Sequence, residues 1–219
     1  MKKLLVCLAN SRKIGGRCLA GIEVQQGGDD FDVVRAGGEP VWIRPVSASQ
    51  HGELATYTVQ SFNLLDVLEV ECTAPAPVGA QVENWSFESN SLKKVGEFPN
   101  DVAHLDLLLS SDRGGLFGNH GKAVHSDHIG EVDHSLLFIR VHEPTSHVQK
   151  NAKGNDQIRM HFVSNWMQYD LAVTDPVAEK LLPATPELLT EADAVYVTLS
   201  LGLEYQSFYS KLIAGVVYC

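Results

Sequence analysis

The chain has 219 residues, 44% of them apolar and 20% charged, and a formal net charge of −10. That length admits one large domain or two small ones, and the composition excludes global disorder. No apolar run reaches the about 18 residues a transmembrane helix needs, so no membrane partner is expected, and so acidic a chain is poorly suited to binding polyanions by charge alone. The charge is uneven: residues 1–50 carry seven Lys/Arg against five Asp/Glu, whereas residues 51–200 carry nine against twenty-one. An anionic ligand is therefore expected at the N-terminal segment.

The first nine residues have the look of a signal peptide, but the apolar stretch is about six residues long and Asn10-Ser-Arg-Lys follows at once. It reads as a first strand, which places the protein in the cytoplasm with Cys7, Cys18, Cys72 and Cys219 as reduced thiols. A Cys7–Cys18 pair across a hairpin is the alternative. No CxxC is present, which removes zinc ribbons and thioredoxin-type motifs.

Residues 4–9 are β-prone, residues 10–16 form a turn cluster with two glycines, and residues 17–24 return as a second strand. Residues 25–38 read as loop. Val41-Trp-Ile-Arg-Pro-Val is a short strand whose Pro45 marks an edge or an end. Residues 64–72 are a strong strand, stopped by Pro75-Ala-Pro. Residues 79–133 read as a long connection, with a short helix at Leu105 and an exposed Gly-, Asp- and His-rich loop over 112–130. Residues 135–142 resume as strand, and 158–163 and 169–174 form a hairpin around Ser164-Asn-Trp-Met. Asp175-Pro176 starts a helix, with Asp capping and Pro at the first position. A second short helix follows at Pro186. Residues 195–200 and 211–218 are the last strands. The first and last hairpins echo each other, each ending in an Ala-Gly strand, as a duplicated β module would.

Cys7-Leu-Ala-Asn-Ser-Arg-Lys-x-Gly-Gly-Arg-Cys-x-Ala-Gly, Trp42-Ile-Arg-Pro-Val-Ser, Leu64-Leu-Asp-Val and Gln81-Val-Glu-Asn resemble a family of bacterial proteins described as dual OB-containing domains. Tyr169-Asp-Leu-Ala-Val-Thr-Asp-Pro, Leu199-Ser-Leu-Gly and Lys211-Leu-Ile-Ala are similar to its second half. The resemblance implies a mostly β chain with two OB-like small barrels in tandem and a few short helices. It divides the chain into a barrel over 1–90, a connecting segment over 91–133 and a barrel over 134–219. It implies no catalytic residues and no cofactor.

The expected ligand-binding residues are Asn10, Arg12, Lys13, Arg17, Trp42, Arg44, Gln81 and Asn84. A glycine turn exposes backbone N–H groups and flanking cations hold phosphate. Trp42 and Arg44 share one strand face, which suits base stacking. Gln81 and Asn84 beside Trp85 are placed to read a base edge. The competing reading is a solvated hairpin with Trp42 in the core and amides tying a loop. The resulting expectation is a non-catalytic module for a single-stranded nucleic-acid segment or nucleotide. One alternative is a protein-interaction adaptor of an operon-encoded system. The other is a metal-dependent hydrolase using His120, His125, His128 and His134 with Asp127 and Asp133, although their spacing fits no closed metal site.

Overall fold

The computed structural model describes residues 1–28, 30–111, 115–151 and 153–219. The first half contains β1 (Lys2–Lys13), β2 (Gly16–Gly27), β3 (Asp30–Val33), β4 (Arg35–Ala36), β5 (Glu39–Pro40), β6 (Trp42–Val46), β7 (Asp66–Pro75), β8 (Asn84–Phe87) and β9 (Lys93–Glu97), with helix α1 (Thr56–Val59) between β6 and β7. Pairing runs β1-β2-β6-β8-β7 and closes by β7 onto β1. The β6–β8 pair is parallel and the others are antiparallel. Counting only the barrel strands, the circuit is 1-2-3-5-4-1, a five-stranded Greek-key barrel of OB type.

The second half repeats the circuit. After α2 (Val102–Asp106) and β10 (Ala123–His125) come β11 (Leu136–Lys150), β12 (Asp156–Ser164), β13 (Met167–Val173), α3 (Pro176–Leu181), α4 (Leu188–Glu191), β14 (Val195–Tyr205) and β15 (Phe208–Tyr218). Pairing runs β11-β12-β13-β15-β14 and back to β11, with β13 and β15 parallel. The protein is thus mostly β, two OB-type barrels with short helices. No helix among the described residues is long and apolar enough to cross a membrane.

Three apolar clusters explain the strand sequences. Leu5, Cys7, Leu19, Ile43, Leu68 and Val70 fill the first barrel. Leu137, Ile139, Phe162, Leu171, Val197 and Ile213 fill the second. Between the barrels lies a third cluster, with Val6, Leu8, Ile22 and Val67 on one side and Phe138, Tyr196 and Val217 on the other. Phe98, Leu105 and Leu108 cover its end. This is why β1 reads as an unbroken apolar run rather than an alternation: Leu5 and Cys7 point into the barrel, and Val6 and Leu8 point into the seam. Each such buried side chain is worth about 1.5–3 kcal/mol over its exposed state, so separating the barrels would be costly.

Bulges shape the seam. The β1–β2 register slips between Cys7 and Ala9. Thr198 Oγ1 of the other barrel donates to the Leu8 carbonyl at 2.6 Å. Ala9, Ala20, Leu136 and Ala214 pack beside it. A Cβ on Gly215 would lie 2.2 Å from the Leu8 oxygen, and one on Gly21 would lie 1.9 Å from the Val6 oxygen. The two Ala-Gly pairs therefore mark close backbone approach. They do not mark duplication: β1–β2 are the first two strands of one barrel, and β14–β15 are the last two of the other.

Several local expectations change. The glycine turn predicted over 10–16 contracts to Ile14 and Gly15, and Asn10, Arg12 and Lys13 sit in β1 opposite Leu19, Arg17 and Gly16. Their amides belong to a ladder strand rather than to an open loop. Cys7 lies opposite Gly21 and Cys18 opposite Ser11, and all four thiols are free. The stretch read as a connection supplies β8, β9 paired to β7, α2 around Leu105, and β10 paired to β15. Residues 112–114 of the predicted loop fall outside the described residues. The predicted hairpin around Asn165 and Trp166 is a two-residue turn with both residues at positive φ, 47° and 63°.

Candidate ligand cleft between the barrels

The end of the β1–β2 hairpin extends past its own barrel and lies against the second. Arg12 N donates to Thr174 O at 2.8 Å, and the Arg12 guanidinium pairs with Glu179 of α3. The seam divides seven of the eight predicted residues among three cavities, and Asn84 lines none of the three. Arg12, Lys13, Arg44 and Gln81 line a cleft of ≈ 430 Å³ whose opposite wall is β14–β15. Asn10 and Arg17 line a second cavity of ≈ 660 Å³ against α3. Trp42 lines a third of ≈ 740 Å³ with Trp85, Glu39 and His134.

Burial decides what each residue can do. Asn10 Nδ2 donates to Val59 O at 2.7 Å and Phe62 O at 2.9 Å, which anchors α1 on β1. Arg17 Nη1 donates to Asn10 O at 3.1 Å. Arg44 is 1% exposed. Its Nη2 lies 2.9 Å from Glu83 Oε1 and 3.0 Å from Ser135 Oγ, and Nη1 donates to Asn84 Oδ1 at 3.4 Å. Asn84 Nδ2 in turn donates to Gln81 Oε1 at 3.2 Å. The Trp42–Arg44 face therefore differs from the open platform the strand pattern predicts. It is turned toward the seam, where Trp42 packs against the cluster of Ala9, Ala20, Leu136 and Ala214 and Arg44 reaches Ser135. A period-two pattern marks which residues share a face but not what covers that face.

Lys13 is different. It is half-buried in the cleft, and its ammonium has no hydrogen bond or ion pair among the described residues. Burial lowers its pKa from the ordinary lysine value; Cys18 opposes this, the Arg44 charge adds a smaller lowering, and Glu53 a smaller opposing effect. Of the other lysines, Lys3 and Lys94 are held by carboxylates, and Lys122, Lys153 and Lys180 stand exposed in solvent.

The cleft's far wall was not legible as a site. Ser200, Leu203, Tyr205 and Ser210 line it, and Tyr205 is 73% exposed beside Ile14 at 67%. The β14–β15 register slips between Leu201 and Glu204, so Gly202 and Leu203 face Ser210 alone. Gly202 inside a strand pattern was the available signal, since interior glycines often mark bulges.

The histidines do not converge. His125 Nδ1 accepts from Asp127 N at 3.2 Å, His128 lies 3.8 Å from Glu131, and His134 lies 2.6 Å from Asp133. No group of three His, Cys, Asp or Glu among the described residues could hold a metal ion. The predicted His/Asp set thus supplies no ligand constellation for a metal-dependent hydrolase.

No curated protein matches the chain. Among the solved structures that match are two of low identity. One, described as the tetrameric p202 HIN2, shares 8% identity with a TM-score of 0.29 over 100% of this chain and 92% of that one. The other, described as a murine DNA-binding protein bound with double-stranded DNA, shares 6% with a TM-score of 0.30 over 100% and 96%. A family model for the dual OB-containing domain matches residues 3–216.

Proposed function

The chain belongs to the dual OB-containing domain family, and we propose that it is a non-catalytic binding module for a short single-stranded nucleic-acid segment or a nucleotide, held in the cleft between the barrels. The observation that carries this reading is Lys13, half-buried and with no side-chain partner among the described residues, beside Arg12 in a cleft whose walls include Ile14, Leu201, Leu203 and Leu212. Small OB barrels bind oligonucleotides through the loop between strands 1 and 2 and the loop between strands 4 and 5. In the first barrel these are the Ile14–Gly15 turn and the segment bearing Gln81, and both border the cleft. Tyr205 supplies an aromatic ring at the rim, and stacking a base on such a ring is worth about 1–3 kcal/mol.

The net charge of −10 limits the ligand to a few phosphates. With Lys13 and Arg12 as the contacting cations, log K should fall with log salt at a slope of about −1.4 for a single strand. Fluorescence anisotropy with labelled short single strands and a nucleotide panel tests this. Binding that Lys13→Glu and Arg12→Ala each weaken supports the reading. Absence of binding across the panel, or binding indifferent to Lys13→Glu, overturns it.

A second reading, a protein-interaction adaptor, is favoured by Trp166, which is 98% exposed at the tip of the β12–β13 turn. Tryptophan is enriched among interface hot spots. A stoichiometric partner that co-purifies with the wild-type chain and is lost with Trp166→Ala would support it.

A further inference from the structure

We propose that Lys13 is a carbonyl-reactive amine, and that the cleft accepts an aldehyde carrying a phosphate group, on which Lys13 forms an imine. The proposal rests on the reading of the cleft as a phosphate site and adds a covalent step to it. Four observations support it. Lys13 combines half-burial with the absence of any hydrogen bond or ion pair among the described residues, whereas the other unpaired lysines, Lys122, Lys153 and Lys180, are exposed. Its surroundings are low in polarity, with Ile14, Leu201, Leu203 and Leu212 in the same cavity. Burial is the main effect on its pKa and pushes it down; Cys18 pushes the other way, and Arg44 and Glu53 have smaller, opposed effects. Glu204, the remaining carboxylate in the cleft, is engaged by the Tyr209 hydroxyl at 3.1 Å. Desolvation of a lysine in a pocket with apolar walls is a recognised route to a nucleophilic amine.

The step balances without a redox partner. The neutral amine attacks the aldehyde carbon, a C–N bond forms, and the amine proton passes to the carbonyl oxygen. The carbinolamine then loses water to give the C=N bond. Arg12 at the cleft mouth meets the phosphate, and the ≈ 430 Å³ volume accommodates one sugar-phosphate unit. The chemistry arises in two places, in the ring-opened sugar of an abasic nucleotide within a strand and in a free phosphorylated aldose.

The experiment uses the full chain with borohydride, which reduces the imine to a stable secondary amine. One arm offers a single-stranded oligonucleotide with one abasic site, and another offers glyceraldehyde 3-phosphate. A third measures anisotropy of the same oligonucleotide without the abasic site. Adducts are located by peptide mass spectrometry on wild-type protein, so the assignment does not depend on a variant that folds. The expected result is an adduct at Lys13 several-fold more abundant than at Lys153 or Lys180, lost in Lys13→Arg and unchanged in Lys153→Arg. No adduct in either trapping arm, or labelling of Lys153 and Lys180 to the same extent, overturns the proposal. If the intact strand binds and neither probe is trapped, the reactive-amine proposal fails and the binding reading stands. If the aldose alone labels Lys13 and the strand does not bind, the nucleic-acid reading fails and the reactive amine stands.

Discussion

Replacing Arg44 with methionine removes one half of an ion pair that lies between the two barrels. The Arg44 and Glu83 side chains are 1% and 4% exposed, their charged atoms are 2.9 Å apart, and Ser135 of the second barrel shares the pair. Methionine fills most of the arginine's aliphatic volume, so the cost falls on the charge left behind. Glu83 would keep only the Ser135 hydroxyl, and stranding one partner of a buried pair costs about 3–5 kcal/mol. For a chain of this size that corresponds to a fall in melting temperature of about 6–20 °C. The pair is also incompletely satisfied, because Arg44 Nε and Glu83 Oε2 have no partner among the described residues. An Arg44→Met/Glu83→Leu double variant should therefore lose much less than Arg44→Met alone, since buried pairs exchanged together for apolar groups are often neutral or stabilising. Urea unfolding of wild type, both single variants and the double variant gives the coupling energy directly. A loss below about 1 kcal/mol for Arg44→Met, or a double variant equal to the sum of the singles, would refute the argument.

Gly215→Ala forces a methyl group to within 2.2 Å of the Leu8 carbonyl oxygen, so it should destabilise by about 1–3 kcal/mol or more through overpacking, read by urea unfolding. His104 lies between Asp101 at 2.8 Å and Asp30 at 3.3 Å, and these carboxylates, Asp101 foremost, raise its pKa. The protonated ring binds more tightly in the folded state. Its contribution is present below the ordinary value near 6.5 and is lost as pH rises through the raised folded value. Melting temperatures on either side of that window should converge in His104→Gln; an unchanged difference counts against the assignment. A ligand that bridges the cleft binds only the folded chain, so a hundredfold excess over Kd should add about 2.7 kcal/mol, visible as a rise in melting temperature that Lys13→Glu reduces.

Much of the fold is legible because local signals agree. The Asp175-Pro176 start is realised as α3, with the Asp175 carboxylate accepting from Val177 N at 2.9 Å. The N-terminal strand pair, the strand at Leu64 and the hairpin at Trp166 follow from β-prone runs between turn residues. The site was less legible because its walls come from residues far apart in sequence. Lys13 and Tyr205 line one cleft because the barrels are held close, with Thr198 docked on the Leu8 bulge and Gly215 letting the strands approach. Arg44 illustrates the opposite error. Nothing in Trp42-Ile-Arg-Pro-Val distinguishes an arginine that faces solvent from one that meets Glu83 and Ser135.

On the proposed reading the seam carries two roles, joining the barrels and holding a ligand, and they place opposite demands on charge. The polar atoms that join the barrels, at Arg44, Glu83, Ser135 and Thr198, are paired and buried, so they contribute little field outside. Most of the surface carboxylates lie in residues 51–200, and several are neutralised locally, as Glu69 is by Lys2 and Lys93. On the proposed reading the ligand is offered the rim of one cleft, where the Lys13 ammonium has no ion pair among the described residues and Arg12 pairs with Glu179 of α3. Screening over about 8 Å at physiological salt confines the repulsion of the acidic body to its own surroundings. A compact anion can then bind at that rim, whereas a long polyanion would have to cross the acidic surface beyond it. On the proposed reading the acidic surface would then act as a specificity device, penalising extended nucleic acid more as it lengthens and a single phosphate group little.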